Sequence, residues 1–412
     1  MQALSRVKFY TMLNLQTYKK PVINETNKIK SAIDSVLQSK TIGFIDLPNR
    51  TELWKKSEAL GAEIRKNYDH LIVVGIGGSS MGPRALAEFS GLTNISFLDN
   101  VDSIETENVL KKIHGPESLA WLFISKSGTT IEVLWTLELI QQRYFELGKK
   151  LWSHTFFITE HTNNSLYNLS VQHQRPCLEV PLDVGGRFSV LSPVGLVVGS
   201  YLDLDLDQMN SGAKRALADT TNLQTQCEQF LASFDRIESI TLFWFYCSRL
   251  RWFGGWLQQL WAESLGKKMN RNELPAFPFS TPMTSIGACD QHSILQQVVD
   301  GPKNKFVCVF RFKDIEEHST TINNPIFAET KSMQGKRFGD LLKAEALATQ
   351  KGLDISNVST MLYVFDRLNP ETLGYLFMSF QIIVSVLAET KNVNAFDQPG
   401  VSLGKKLISE FL

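Results

Sequence analysis

The sequence predicts an α/β protein built on mainly parallel sheets, and three observations carry that expectation. Between about residue 70 and residue 200, short β-branched or aromatic runs alternate with longer stretches of helical spacing. The connections between them are short, as in strand–helix–strand units whose sheet is covered by helices on both faces. The second half is more helical yet repeats the alternation, and no low-complexity tract or short-period repeat interrupts it. With 412 residues there is length for two such units, and the boundary is expected near residue 190.

In chain order, strands are expected at 71–75, 96–99, 120–125 and 155–159, each a compact run such as LIVVG or TFFIT. Helices are expected between them at 79–89, 104–113 and 130–147. The stretch 234–265 is long and aromatic-rich, and its Gly254 and Gly255 predict a kink or break between two helices. Within it, 240–247 is the most apolar run of the chain. It is too short to cross a bilayer and reads as core. The Pro-rich passage 274–282 predicts an extended loop. Strands follow at 305–312 and 361–365, and helices at 338–349 and 371–390.

The 42 basic and 42 acidic side chains balance, so no global field favours nucleic acid or an anionic membrane. Any anion must be caught locally. Five dispersed cysteines without a C-x-x-C pair read as reduced, mostly buried thiols in a cytosolic protein. The N-terminal residues lack the apolar core and cleavage site of a secretory signal, which again predicts a cytoplasmic location.

Local anion capture is what two loops offer. LIVVGIGGSSMGPRAL and WLFISKSGTTIEVL both run an apolar strand into a Gly/Ser/Thr loop that opens a helix, where backbone N–H groups and hydroxyls can hold a phosphate. The first loop fits a dinucleotide fingerprint only loosely, because Ser80 stands where the third glycine belongs. In the second, Ser125, Ser127, Thr129 and Thr130 place four hydroxyls, and Lys126 one cation, around Gly128.

VGGRFSVLSPVG sets Arg187 between two glycines and an aromatic residue, where it could meet developing negative charge; an ordinary surface ion pair is the alternative. In WAESLGKKMN, Glu263 and Lys267 stand at i and i+4, the spacing of a solvated salt bridge. Trp261 and Leu265 instead predict an apolar setting that would make the carboxylate a base. His292, in ACDQHSIL, would lie near a helix start. The seven histidines form no H-x-H or H-x-x-x-H pair, so no metal site is expected. Near the C-terminus, NAFDQPGVSLGKKL carries Gln398 in a turn before Lys405 and Lys406.

In this order the segments GIGGSSMGP, SKSGTT, VGGRFSVLSPVG, AESLGK, DQHS and FDQPGVxxxK, spanning residues 75 to 405, resemble the phosphoglucose (glucose-6-phosphate) isomerase family. The resemblance implies two sugar-isomerase (SIS) domains, each a parallel sheet in an αβα sandwich. The smaller would be 50–190, and the larger 1–49 with 191–412, ending in a C-terminal helix. It implies an aldose–ketose isomerase acting on glucose 6-phosphate and fructose 6-phosphate by ring opening and an enediolate, with neither metal nor cofactor.

Carried over by position, Ser125, Ser127 and Thr130 would bind the phosphate with the Lys126 backbone and Gln398. Gly77, Gly78 and Ser79 would shape the sugar-facing floor. His292 and Lys405 would assist ring opening, Glu263 would move the proton, and Arg187 would stabilise the enediolate. The resemblance also implies a homodimer with His292 donated across the interface. Ser402 replaces the usual glutamate, which removes an ion pair from the last helix, and the chain is shorter than most members. A bifunctional phosphoglucose/phosphomannose isomerase shares these motifs. A sugar-phosphate-sensing SIS regulator would want a basic helix-turn-helix segment, which is missing. A nicotinamide dehydrogenase is the weakest rival.

Overall fold

Runs that are apolar at every position can form strands only where both faces of a sheet are covered, and the chain supplies two such sheets. The computed structural model describes residues 12–17, 25–111, 118–401, 407–408 and 410–411. Its strands are β1 (Leu13–Thr17), β2 (His70–Val74), β3 (Ile95–Leu98), β4 (Leu119–Ile124), β5 (Thr155–Thr159), β6 (Cys177–Glu179), β7 (Ile240–Phe245), β8 (Thr281–Ile286), β9 (Lys305–Phe312) and β10 (Ser359–Phe365). One sheet has the order β3-β2-β4-β5-β6 and is parallel throughout. The other has the order β1-β10-β9-β7-β8, parallel except for β1, an antiparallel edge strand. In both, the first strand of the parallel run lies between the second and third. The chain therefore leaves β2 and β7 at points where the strand order reverses, the usual place for a ligand.

The pleat divides each strand between two cores. In β4, Ala120, Leu122 and Ile124 face an apolar layer shared with the other sheet, while Leu119, Trp121 and Phe123 pack on Val133, Leu137, Ile140 and Tyr144 of the helix Ile131–Glu146. In β9, Phe306, Cys308 and Phe310 face the shared layer, whereas Val307 and Val309 meet Ala346 and Leu353 of the helix Phe338–Ile355. Helices Pro193–Tyr201, Arg251–Leu265 and Pro370–Thr390 contribute side chains to the shared layer. The last of these is long and apolar enough to cross a membrane, yet 94% of its apolar window is buried inside the protein. Asn369 caps its first turn by accepting from the Thr372 N–H, and Pro370 follows at N1.

The expected strand 155–159 coincides with β5 and 305–312 with β9. Residues 234–265 depart from expectation, for they form β7 and then one continuous helix, Arg251–Leu265. The helix runs through Gly254 because that glycine faces β8: a Cβ there would lie 3.2 Å from Thr284 Cβ. Close packing, and not a break, accounts for the residue. The expected loop at 274–282 overlaps the start of β8, where Pro282 is tolerated because β8 is an edge strand. Cys227, Cys247 and Cys308 are buried, Cys177 is half-buried and Cys289 is exposed, all as free thiols.

One clamp fixes the approach to the site. Arg50 donates both terminal nitrogens to Asp183, at 3.0 and 2.6 Å, across 133 residues. With the Gly43 N–H donating to the Asp183 carbonyl and Arg50 Nη2 donating to the Gly43 carbonyl, it ties the turn Gly43–Ile45 to the segment leading to Gly185 and Gly186, and the fork holds the Asp183 carboxyl below the usual carboxylate range. A carboxyl depressed in the folded state adds stability above its unfolded pKa of about 3.9, and that stability is lost as pH falls through the folded value. Asp183→Asn should therefore lower the melting temperature at pH 7, with the difference from wild type closing below about pH 4. A difference independent of pH would exclude this role.

Candidate active site

The site is assembled at the carboxyl ends of β2 and β4. After β2 the chain turns at Gly77, whose φ of +61° and ψ of −122° favour glycine, and enters the helix Gly78–Ser90. Gly78 leaves no room for a side chain, since a Cβ would stand 2.2 Å from the Gly186 carbonyl oxygen. The GIGGSS and VGGRF loops thus pack backbone against backbone, and Ser79 is half-buried beside them.

After β4, the Ser125 N–H donates to the Ile158 carbonyl and its hydroxyl pairs with that of Thr130 at 2.8 Å. Gly128, at φ +64°, fits because a Cβ would overlap the Asn164 side chain at 1.8 Å. The Ser127 hydroxyl accepts from the Thr129 N–H and hydroxyl. Thr130 begins the helix Ile131–Glu146 without a side-chain cap bond, which leaves the first turn open to an anion. The Lys126 ammonium is engaged by other groups, 3.4 Å from Glu160 and donating to the Leu182 carbonyl. That loop therefore presents hydroxyls and backbone rather than a cation.

Arg187 lies in the turn Gly186–Leu191 and is 4% exposed. Its Nε donates to the Ser264 hydroxyl at 2.9 Å, Nη1 to Glu263 Oε2 at 3.0 Å, and Nη2 to the carbonyls of Ala395 and Asp397. Nη1 also approaches Gln398 Oε1 at 3.5 Å. Burial pushes the guanidinium below the usual arginine range, and Glu263 opposes that shift. The second oxygen of Glu263, Oε1, accepts from Gln259 Nε2 at 2.9 Å. Glu263 is 29% exposed, so both its oxygens are held while part of it remains open to a ligand.

Two expectations about this segment are corrected. The Glu263 carboxylate lies among donors and not in an apolar setting. Lys267 does not pair with it at i+4; it donates instead to Asp397 Oδ1 at 2.8 Å. Among the described residues no three His, Cys, Asp or Glu side chains converge as a metal site requires.

A family model described as phosphoglucose isomerase matches residues 18–412. The chain belongs to the phosphoglucose isomerase family. A glucose-6-phosphate isomerase from Campylobacter jejuni is 31% identical over 409 residues, covering 97% of this chain and 99% of its own length. A probable glucose-6-phosphate isomerase from Methanococcus maripaludis is 30% identical over 409 residues, covering 94% of this chain and 88% of its own. The solved glucose-6-phosphate isomerase from Chlamydia trachomatis superposes with a TM-score of 0.80 at 20% identity, covering 97% of this chain and 88% of that one, which shows a shared fold. The two mainly parallel sheets are those of phosphosugar-isomerase (SIS) folds.

Of the positions matched to phosphoglucose isomerase motifs, the structure brings together Gly77, Gly78, Arg187, Glu263 and Gln398 in one cluster, with the Ser125 loop on the adjoining strand end. His292 is exposed beyond β8, at the end of the short helix Gly287–Gln291, and its imidazole makes no hydrogen bond among the described residues. Among the described residues no hydrogen bond or ion pair joins it to Glu263. Lys405 and Ser402 lie outside the described residues. The residue passed over in the sequence is Gln259. It precedes Glu263 by one helical turn, the spacing that puts two side chains side by side, and its amide lies 3.0 Å from where a Gly77 Cβ would be.

Proposed function

We propose that this phosphoglucose isomerase family member interconverts glucose 6-phosphate and fructose 6-phosphate through a metal-independent enediolate. The observation that carries the reading is the Glu263–Arg187 pair at 3.0 Å, a partly open carboxylate against a buried guanidinium, beside a loop rich in hydroxyls. The phosphate would rest on the Ser125, Ser127 and Thr130 hydroxyls and the Lys126 backbone N–H, with Gln398 closing the far side. Gly77, Gly78 and Ser79 would form the floor. In the open-chain aldose, Glu263 takes the proton from C2; the electron pair forms the C1–C2 double bond and charge moves to O1. Returning that proton to C1, while the O2 proton passes to O1, leaves the ketose. Arg187 faces the oxygens on which charge develops. Ring opening falls to His292 and Lys405.

A spectrophotometric assay linked to glucose-6-phosphate oxidation, run on fructose 6-phosphate with and without EDTA, tests the reading. Turnover unchanged by EDTA is expected, and none in either condition would refute it.

The exposure of His292 supports a homodimer in which each site takes this histidine from the second copy. Mixing separately inactive Glu263→Gln and His292→Ala chains should then restore activity to roughly a quarter of wild type, because one site in each mixed dimer has both groups. Mixtures no more active than their components, despite subunit exchange, would rule this out. We place the enzyme in the cytosol, where its free thiols stay reduced. The division at about residue 190 into units 50–190 and 1–49 with 191–412 is supported by the separate origins of the two sheets, from residues 70–179 and from 13–17 with 240–365.

A further inference from the structure

Lys267 stands just past the C-terminal end of the helix that carries Glu263, and its side chain is 5% exposed. Its ammonium donates to both the main-chain carbonyl and the carboxylate of Asp397, 130 residues away. The same Asp397 carbonyl accepts from Arg187 Nη2 at 2.8 Å, and Arg187 also holds the Ala395 carbonyl. Two cations from different parts of the chain therefore grip one turn, and the next residue in that turn is Gln398.

A solvent-exposed Lys–Asp pair would need no functional account, since water screens most of its attraction. This lysine is different, because its side chain has been taken out of water. Burial pushes the ammonium below the usual lysine range, Asp397 draws it back up, and the Arg187 guanidinium pushes it down again. An apolar side chain of the same length would fill the space without that desolvation cost. What an apolar side chain could not do is donate to the carbonyl of residue 397 together with Arg187.

We propose that Lys267 is a positioning residue for the isomerisation, fixing the 395–398 turn so that Gln398 meets the substrate phosphate and Arg187 keeps its place against Glu263. The inference rests on the reading of the site as a sugar-phosphate isomerase. Lys267 touches no reacting atom in this account and acts through Asp397.

Steady-state kinetics of the full-length Lys267→Met and Asp397→Asn chains on fructose 6-phosphate, beside wild type, test it. Lys267→Met should raise KM about tenfold or more, with a smaller fall in kcat, because misplacing a substrate anchor by about 1 Å has effects of this order. Inhibition by inorganic phosphate should weaken in parallel, a readout that a merely structural pair would not move. Asp397→Asn, which keeps the main-chain carbonyl, should raise KM by a smaller factor. It is half-exposed and decides alone should Lys267→Met not fold. A wild-type KM and wild-type phosphate inhibition in these variants would overturn the inference while leaving the isomerase reading intact. A wild-type chain that does not turn over fructose 6-phosphate overturns both.

Discussion

Glu263→Gln should lower kcat by about a thousandfold, the scale of a lost general base, while KM and sugar-phosphate binding stay within a few-fold of wild type. The substitution is a clean test because the surroundings can absorb it. Gln259 donates to Glu263 Oε1 through Nε2, while its own Oε1 is buried without a partner. Rotating that amide would present Oε1 to the new side-chain N–H₂, leaving the new carbonyl for Arg187 Nη1. Arg187 also keeps Ser264 and two main-chain carbonyls. Fold and ligand binding should therefore survive while the proton acceptor is lost. A loss of binding as large as the loss of turnover, measured by calorimetry with fructose 6-phosphate, would contradict the role given to Glu263.

Arg187→Lys should be damaging in two ways at once. A lysine ammonium cannot reproduce a planar fork that reaches Ser264, Glu263, Ala395 and Asp397 together. The ammonium keeps a charge for Glu263 but leaves buried acceptors without a donor, so urea unfolding should report a loss of about 1–3 kcal/mol. Of the protein that remains folded, kcat should fall about a hundredfold or more, as when a preorganised donor is removed from developing charge. Near-wild-type kcat in the folded fraction would show that Arg187 only supports the fold.

What the sequence makes legible depends on whether a residue's partner lies near it in the chain. β5 and β9 were readable because runs such as TFFIT can sit only between two covered faces. The two glycine-rich turns were readable because hydroxyls and glycines must adjoin at a helix start. Gly254 looks like a helix break in the sequence, since the contact that accounts for it comes from Thr284 on another element. β8 was hidden by Pro282, whose acceptability depends on the strand lying at an edge. Lys267 looks like a partner of Glu263 for the same reason, its actual partner Asp397 being 130 residues distant. The Arg187–Glu263 contact joins positions 76 apart, and only the family resemblance hinted that they meet.

The apolar layer between the sheets has a consequence of another kind. Phe243, Phe245, Phe306 and Phe310 from one sheet and Leu71, Val73, Leu122 and Ile124 from the other belong to the same continuous core. Neither half can shed its neighbour without wetting those side chains. The molecule should melt as one cooperative unit, with a single heat-absorption peak in place of two. A cavity cut beneath the smaller sheet would then lower the temperature at which distant helices on the larger one come undone.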